Sequence, residues 1–309
     1  EDRDGVAIVD PGLPGPSSYK ALRRRLSAAG FPIERVHTVI VTHSHPDHFG
    51  GAGRVRHESG ARIVTHERFR LMWDPSEPPD VDVEDLPEVA ELLGRRFPWD
   101  PTPWDGKQMA FSRWRKIALM ASRHFPRLMR TPVPTVRLNE AETICLAGRE
   151  WVAIHTPGHT EDHLCLFDPN EGVMLSGDHV LPTITPHVGG LSPIADPLEA
   201  FMSSLDKVAS YGDDVSTVLP AHGHPFEDLA GRVAAIKYHH IERLDQLRAP
   251  AEEIGRPATV SEYSSHLFSK RVQGTMADSE TFAHLEHLRL LGEMERRVDP
   301  KPYEYVLVD

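Results

Sequence analysis

A short histidine-rich motif, Thr42-His-Ser-His-Pro-Asp-His48, constrains this chain more than any other feature of its sequence. It directly follows an apolar, β-branched run that predicts a buried strand. His43 and His45 are two residues apart on the predicted turn, so both imidazole rings can converge on one point. Asp47 and His48 follow at once and can face a second point nearby. Imidazole and carboxylate groups in this pattern predict a site for zinc, iron or manganese.

Three later residues are placed in a similar way, each within a few residues of the end of a short apolar run. They are His159, Asp178 and His222, and each run predicts a strand. Side chains at the ends of successive strands collect along one edge of a sheet, where α/β folds usually carry their sites. We therefore expect these residues to join the histidine-rich motif in one centre. Three histidines and a carboxylate would form one site, and Asp47, His48, a further histidine and a shared carboxylate would form another.

Four other histidines lie near these candidates, and their expected roles differ. His163 and His179 stand close to candidate ligands in the sequence, and we expect them to hydrogen-bond to ligands rather than to bind metal themselves. His187 and His224 fit the lining of a pocket and the plain surface equally well. The sequence leaves both alternatives open for these two residues.

Strand and helix patterns alternate along most of the chain, which predicts a layered α/β fold. We expect strands at residues 6–9, 36–42, 61–64, 151–155, 164–167, 173–175 and 215–219. Helices are expected at residues 19–29, 198–210 and 228–247.

Residues 71–138 interrupt this alternation and divide into an acidic and a basic half. Residues 106–138 contain eight basic residues and no acidic ones, and residues 107–124 have helical spacing. Arg113, Lys116 and Arg123 are assigned to one face of that predicted helix. This face could clamp an anionic substrate, or it could be a solvated surface that balances the acidic half. We expect the insert to cover the site as a cap.

Residues 250–309 have a pattern of their own. Thr259-Val-Ser-Glu262 is a capping-box pattern that predicts a short helix ending near residue 268. A second helix is expected at residues 279–291, followed by strands at residues 293–298 and 303–308. Helix, helix and hairpin is the order of a winged helix. These residues include eleven acidic and seven basic side chains, so we expect packing or dimerisation rather than nucleic-acid binding.

The order of the motifs resembles the metallo-β-lactamase superfamily. His-x-His-x-Asp-His is followed by His, Asp and His, and it is preceded by Asp10-Pro-Gly12, which is similar to the family's DxG turn. The resemblance implies an αβ/βα sandwich with a binuclear metal centre between its sheets, and it places Asp10 beside the ligands. It implies one ion at His43, His45 and His159, another at Asp47, His48 and His222, and Asp178 as the bridging ligand.

The C-terminal segment resembles a winged-helix domain attached to one branch of this superfamily, in the motifs His239-His240 and Thr281-Phe-Ala-His-Leu-Glu286. That branch includes thioesterases similar to glyoxalase II and an endoribonuclease. The implied domains are a catalytic domain at 1–227, carrying the 71–138 insert, and a linking helix with the winged-helix domain at 228–309. The chain departs from the branch in two ways. The strands that usually precede the DxG turn are missing, so we expect the natural chain to begin earlier, and the insert is longer.

Two divalent metal ions would supply the chemistry, with zinc favoured and iron or manganese as alternatives. Together they lower the pKa of a bridging water, provide hydroxide at neutral pH and polarise the oxygen under attack. Asp47 would orient the hydroxide and carry a proton to the leaving group. The sequence thus predicts a metal-dependent hydrolase of a small ester-type substrate, favouring a thioester of the acyl-CoA or acyl-glutathione type. A lactonase, an endoribonuclease with the basic insert as strand clamp, and a non-catalytic binding protein stay open as alternatives.

The overall composition limits the partners that this chain is expected to have. The net charge of −12 disfavours nucleic acid except as an RNA substrate, while the basic insert keeps an anionic small molecule open. The sequence contains no run of 18 apolar residues, so no membrane-spanning helix is predicted. Two cysteines and a resemblance to intracellular relatives predict a cytoplasmic protein. A homodimer stays an open alternative.

Overall fold

A parallel sheet and a mixed sheet form the frame of the protein in the computed structural model, which describes residues 5–71, 100–102, 104–105, 112–124, 132–299 and 302–308. The parallel sheet has the order β1-β2-β3-β4, with β1 at Val6–Val9, β2 at Val36–Ile40, β3 at Arg62–His66 and β4 at Val136–Leu138. The mixed sheet has the order β5-β6-β7-β8-β9, with β5 at Thr143–Leu146, β6 at Arg149–His155, β7 at Leu164–Asp168, β8 at Val173–Gly177 and β9 at Thr217–Pro220. Its first four strands pair antiparallel, and β9 runs parallel to β8.

Two helices cover the outer face of each sheet. In the described part of residues 5–254 the helices are α1 at Pro16–Ala28, α2 at Pro46–Phe49, α3 at Ala52–Ser59, α4 at Arg113–His124, α5 at Pro197–Ala209 and α6 at Leu229–Ile254. Tyr19 and Leu26 of α1 and Val55 of α3 share a buried cluster with strands of the parallel sheet. Phe201 of α5 and Val233 of α6 share another with strands of the mixed sheet. Each sheet is therefore backed by its own pair of helices.

Successive residues of the central strands point to opposite faces, so each strand contributes to two cores. In β2, Val39 packs toward α1 and α3, whereas Ile40 packs toward the mixed sheet. In β7, Leu166 joins the core between the sheets, and Phe167 joins the core beneath α5 and α6. Because both faces are covered, these strands read as continuous apolar runs. The layers are helices, sheet, sheet and helices, and the predicted αβ/βα sandwich is confirmed.

The loops after the strands meet at one edge of the sandwich. The backbone N–H of Leu164, at the start of β7, donates to the carbonyl oxygen of Thr42, just past the end of β2, at 2.9 Å. The N–H of Ala221, just past β9, donates to the carbonyl oxygen of Gly177, at the end of β8, at 3.0 Å. Backbone hydrogen bonds thus tie the segment after β2 to the mixed sheet, and the loop after β9 to the end of β8.

The C-terminal segment packs against the sandwich. Its elements are β10 at Ala258–Thr259, α7 at Val260–Leu267, α8 at Thr275–Leu290, β11 at Met294–Arg297 and β12 at Glu304–Leu307, with the sheet order β10-β12-β11. The predicted capping box is confirmed, since the Glu262 N–H donates to Thr259 Oγ1 at 3.2 Å and the Thr259 N–H donates to Glu262 Oε2 at 2.8 Å. Phe282 and Leu285 of α8 share one core with Phe201 of α5. The winged-helix assignment and the domain boundary at residue 228 stay predictions.

The largest differences from the predicted elements are at helix ends. α6 continues through Pro250 to Ile254 instead of ending near residue 247, because Leu247 and Ala251 prolong its buried stripe. α8 begins at Thr275 rather than at residue 279. α4 begins at Arg113 in the described part of the chain, and the predicted helical residues 107–111 lie outside it. Among the described helices, none is long and apolar enough to cross a membrane.

Candidate metal centre

The histidine-rich motif forms a turn into α2, and a proline shapes this turn. A residue before proline is kept extended, and His45 has φ −83° and ψ 143° before Pro46. Pro46 then opens α2, where the missing N–H of proline leaves no hydrogen bond unmade. The change of direction separates His43 and His45 on the turn from Asp47 and His48 on the helix. One short motif can therefore serve two metal positions.

Three imidazole nitrogens converge in the first ligand group, which is His43, His45 and His159. His45 Nδ1 lies 3.0 Å from His43 Nε2 and 3.1 Å from His159 Nε2. A tetrahedral zinc ion with Zn–N bonds of about 2.0 Å would hold its nitrogen ligands roughly 3.3 Å apart. The observed spacing fits one ion bound through Nδ1 of His45 and Nε2 of the other two histidines.

The second ligand group is Asp47, His48 and His222. Asp47 Oδ2 lies 3.6 Å from His48 Nε2 and 3.5 Å from His222 Nε2. These separations again match the distances between neighbouring ligands of one tetrahedral ion. The donors are two imidazoles and one carboxylate, which suit zinc, iron and manganese alike.

Asp178 lies between the two ligand groups. Its Oδ2 is 3.4 Å from His48 Nε2, 3.5 Å from His222 Nε2 and 3.8 Å from His159 Nε2. Its Oδ1 is buried and accepts no hydrogen bond from any residue that the structure describes. A buried acceptor without a hydrogen bond is costly unless a cation satisfies it. The residues present therefore fit a pair of divalent cations that share this carboxylate.

Asp10 supports the second group from behind. Its Oδ2 accepts hydrogen bonds from His48 Nδ1 at 2.8 Å and from Thr42 Oγ1 at 2.7 Å, and its Oδ1 accepts from the Thr42 N–H at 2.9 Å. Since Thr42 Oγ1 gives its proton to Asp10, it accepts from His43 Nδ1 at 3.0 Å. Both histidines thus donate through Nδ1, so Nε2 is the nitrogen that each of them presents to a metal. Asp10 is held at φ 47° to make these contacts.

Two further predicted residues support the remaining ligands. His159 Nδ1 donates to the carbonyl oxygen of His187 at 2.6 Å, so its Nε2 is free of its proton. His163 Nε2 accepts from the backbone N–H of Asp178 at 3.0 Å, and its Nδ1 donates to Thr156 Oγ1 at 2.7 Å. His163 therefore holds the backbone of the central carboxylate, and the backbone of His187 holds a ligand ring.

The electrostatics of the two groups differ. Burial holds the pKa of His43 well below its usual value and lowers the pKa of His159 to about 3, and neighbouring imidazoles add to both effects. Burial would also lower the pKa of His48, but its hydrogen bonds with Asp10 and Asp178 raise it to about 10. In the metal-free protein the first group is therefore a set of neutral donors, whereas His48 carries a proton that a metal must displace.

The remaining predicted site residues are placed differently. His179 is buried, with its ring centroid 5.0 Å from that of Phe201 in α5, and among the described residues its ring hydrogen-bonds to no candidate ligand. His224 is exposed. Arg113 and Lys116 lie on α4, where Arg113 is exposed, and the side chain of Arg123 lies outside the described residues. The role of α4 as a clamp stays a prediction.

Three polar residues that support the ligand loops are not indicated by sequence pattern alone. Thr42 links Asp10 to His43, and its only sequence signal is its place directly before the motif. Ser44, between two candidate ligands, donates to Asp162 Oδ1 at 2.9 Å, 118 residues away. Burial raises the pKa of Asp162 to about 7. Contacts over such a sequence separation depend on how the two sheets pack.

An αβ/βα sandwich with two adjacent groups of histidine and carboxylate ligands at one sheet edge defines a class of metal-dependent hydrolases. The sequence profile of the metallo-β-lactamase superfamily matches residues 1–222 of this chain. The chain belongs to the metallo-β-lactamase superfamily and is a metallo-hydrolase, as the resemblance of its motifs predicts.

Similar proteins agree with this assignment. The crystal structure of a metallo-β-lactamase family protein from Thermus thermophilus has a TM-score of 0.73 and 28% identity, and the match covers 100% of this chain and 92% of that one. A Bacillus subtilis protein named probable metallo-hydrolase is 25% identical over 92% of this chain and 85% of its own length. An atrochrysone carboxyl ACP thioesterase from Passalora fulva is 32% identical over 46% of this chain and 41% of its own length. This last match spans less than half of either protein.

Proposed function

We propose that this metallo-hydrolase cleaves a thioester of the acyl-CoA or acyl-glutathione type, using two zinc ions at the two ligand groups. The position of Asp178 Oδ2 carries the proposal, because it faces nitrogens of both groups. Asp178 would therefore help to hold both ions, together with the histidines of the two ligand groups. Such a pair favours hydrolysis by water rather than by a side-chain nucleophile.

The state of the buried cysteine supports a water-based reaction. Cys165 lies in β7, in the core beneath α5 and α6, and burial raises the pKa of its thiol to about 12. A thiol rather than a thiolate is present at neutral pH, and thiols are poor nucleophiles. A covalent acyl-enzyme on Cys165 is therefore disfavoured.

The ligand groups assign a role to each side chain. His43, His45 and His159 would hold one ion, Asp47, His48 and His222 the other, and Asp178 would lie between them. When bound, the two ions would make water a hydroxide nucleophile at neutral pH and polarise the substrate carbonyl.

The two ligand groups differ in exposure, which sets the direction of substrate entry. The side chains of Asp47 and His222 are 43% and 46% exposed, whereas that of His159 is 6% exposed. Substrate therefore approaches over Asp47 and His222. From this rim, the Asp47 carboxylate can accept a proton from the attacking water and return it to the leaving group.

A thioester is favoured over a lactone because its leaving group departs more easily. A thiol has a pKa near 8.5, so a thiolate leaves with little assistance, whereas an alkoxide needs a proton as it leaves. The similar Passalora fulva protein is named a thioesterase, which supports the same substrate class. The charges of CoA or glutathione would also complement the basic residues Arg113 and Lys116 of α4.

A substrate panel with zinc-loaded protein tests the proposal, with acyl-CoA, acyl-glutathione, lactones and RNA as the four classes. We expect kcat/KM for a thioester to exceed that for a lactone by about tenfold or more, and RNA to stay intact. The Asp47→Asn variant should lower kcat by about 10²–10⁴-fold if this carboxylate moves the proton. The exposed carboxylate Asp213, on the surface before β9, offers the matched control Asp213→Asn, which should retain full activity.

Two results would contradict the proposal. One is faster cleavage of a lactone or of RNA than of any thioester in the panel. The other is thioesterase activity that persists in the double variant with Asp178→Ala and His159→Ala, because these changes remove a ligand from each ion position.

A further inference from the structure

The loop between β8 and α5 carries His187, and it connects the metal centre to the C-terminal segment. On one side, the carbonyl oxygen of His187 accepts the hydrogen bond from His159 Nδ1 at 2.6 Å. This bond holds the ring of a candidate ligand in the tautomer that a metal requires. The placement of this loop therefore determines the placement of His159.

On its other side, the same residue is bound by a carboxylate of α8. His187 Nδ1 lies 3.0 Å from Glu280 Oε2, and Glu280 Oε1 lies 3.5 Å from Arg243 Nε of α6. The Glu280 side chain is 12% exposed, so this ion pair is largely shielded from solvent. Glu280 is held between an imidazole and a guanidinium, which gives its carboxylate a defined orientation.

The backbone of the loop also lies directly on α8. The Gly190 N–H donates to the carbonyl oxygen of Ser279 at 3.0 Å and to Ser279 Oγ at 3.1 Å. A Cβ atom on Gly190 would lie 2.2 Å from Phe282 Cδ1, so only glycine allows this approach. Two consecutive residues of α8 thus hold the loop, one through its backbone and hydroxyl group and the other through its carboxylate.

We propose that Glu280 is a positioning residue for the metal centre: through His187 it orients His159, and the C-terminal segment thereby sets the metal affinity of the first ligand group. The inference rests on the proposed function only for the role of His159 as a metal ligand. Glu280 does not touch substrate or metal. Its carboxylate fixes the His187 ring, and the peptide carbonyl of the same residue fixes the imidazole of His159.

A purely structural role for Glu280 makes a different prediction. The pair formed by Glu293 and Arg248 also joins the C-terminal segment to α6, with Glu293 Oε1 2.8 Å from an Arg248 nitrogen. Glu293 therefore supplies a matched control for a broken ion pair in the same segment. If Glu280 only stabilised the packing of α8, replacing either glutamate would lower the free energy of unfolding. Neither replacement would then lower the zinc affinity of the first ligand group alone.

Zinc titration of the full chain against a chromophoric chelator separates these alternatives. The His222→Ala variant lacks a ligand of the second group, so zinc binding in this background measures the affinity of the first group. The His45→Ala variant lacks a ligand of the first group, so binding in that background measures the affinity of the second group. In the first background we expect Glu280→Ala to weaken zinc binding about tenfold, as is typical when a group behind a ligand histidine is removed. In the second background we expect no change. Glu293→Ala should leave zinc affinity unchanged in both backgrounds.

A double-mutant cycle tests whether Glu280 acts through His187. His187→Ala should weaken the first group by a similar factor, and the double variant should be no weaker than either single one, because both changes release the same loop. Additive losses would overturn the inference, as would wild-type affinity in Glu280→Ala. Equal losses in both backgrounds would also overturn it. If Glu280→Ala does not fold, Glu280→Gln, which removes the charge but keeps the size, serves in its place. A wild-type chain that binds no zinc at all would instead refute the metal centre and the proposed function.

Discussion

Replacing Asp10 by asparagine tests how the second ligand group obtains the correct tautomer of His48. Asp10 supplies two acceptor oxygens, one to the Thr42 N–H and one shared by Thr42 Oγ1 and His48 Nδ1. Asparagine supplies one oxygen and one NH₂ group. The backbone N–H of Thr42 can only donate a hydrogen bond, so it must face the oxygen, whereas a hydroxyl and an imidazole can each donate or accept. We therefore expect the NH₂ group to face His48 and to move the His48 proton to Nε2, where it competes with the metal.

The magnitude follows from the supporting hydrogen bond. Loss of the correct partner behind a ligand histidine costs about 10–100-fold in metal affinity, or about 1.4–2.7 kcal/mol. Backbone strain adds little, because asparagine tolerates the left-handed region as aspartate does, and Asp10 has φ 47°. The loss should fall on the group of Asp47, His48 and His222, while the group of three histidines retains most of its affinity.

Zinc titration with a competing chelator measures both affinities in one experiment. The wild-type chain should bind two ions, and the Asp10→Asn variant should bind one at close to wild-type affinity and the other about 10–100-fold more weakly. Asp228→Asn is the matched control, because Asp228 Oδ1 also accepts a backbone N–H, from Gly231 at 2.8 Å, but at the start of α6. Wild-type affinity for both ions in Asp10→Asn would refute the tautomer argument. So would an equal loss at both groups.

Three further outcomes follow from the same geometry. Gly177→Ala should destabilise the fold by about 1–3 kcal/mol in chemical denaturation, because residue 177 has φ 51° and a Cβ there would lie 2.6 Å from His163 Nε2; an unchanged free energy of unfolding would contradict this. In the metal-free protein, burial would lower the pKa of His48, but its carboxylate partners raise it to about 10. Protonated His48 therefore stabilises the fold fully below the imidazole's unfolded pKa of about 6.5, and this stabilisation is lost as the pH rises through 10. Across that pH range, the thermal unfolding temperature of the zinc-free protein should fall, and that of the zinc-loaded protein should depend less on pH. Parallel pH profiles with and without zinc would contradict this prediction. Replacing Arg113 and Lys116 by alanine should raise KM for an acyl-CoA with kcat unchanged, and the difference should shrink at high salt; an equal effect on an uncharged thioester would exclude charge recognition.

The fold and the candidate ligands could be predicted because both are encoded locally. Val39 and Ile40 are apolar neighbours in a short run, and this pattern is typical of a strand buried on both faces. The turn that follows is shaped by Pro46, and its four ligand-type side chains lie within six residues of one another. Short-range patterns of this kind need no knowledge of how distant segments pack.

The support behind the ligands could not be predicted in the same way. Glu280 is 93 residues from His187, and Asp162 is 118 residues from Ser44. Their pairing depends on the packing of α8 and of the two sheets, not on local periodicity. The apolar face of α8 reads in sequence as the core of a separate domain, yet Phe282 lies 4.9 Å, between ring centroids, from Trp104 of the insert. Sequence pattern identifies an apolar face, but it does not identify what covers that face.

The two ligand groups are built for different tasks. His43 is buried, the side chain of His159 is 6% exposed, and the contacts that support these two rings come from Thr42 and, through His187, from the C-terminal segment. The Asp47 and His222 side of the second group is nearly half exposed. A buried group with fixed tautomers favours retention of its ion, because its donors are already neutral and oriented. An exposed carboxylate beside the second ion can exchange protons with water and admit a substrate. Substitutions near His187 should therefore change metal affinity first, and substitutions around Asp47 should change turnover and substrate preference first.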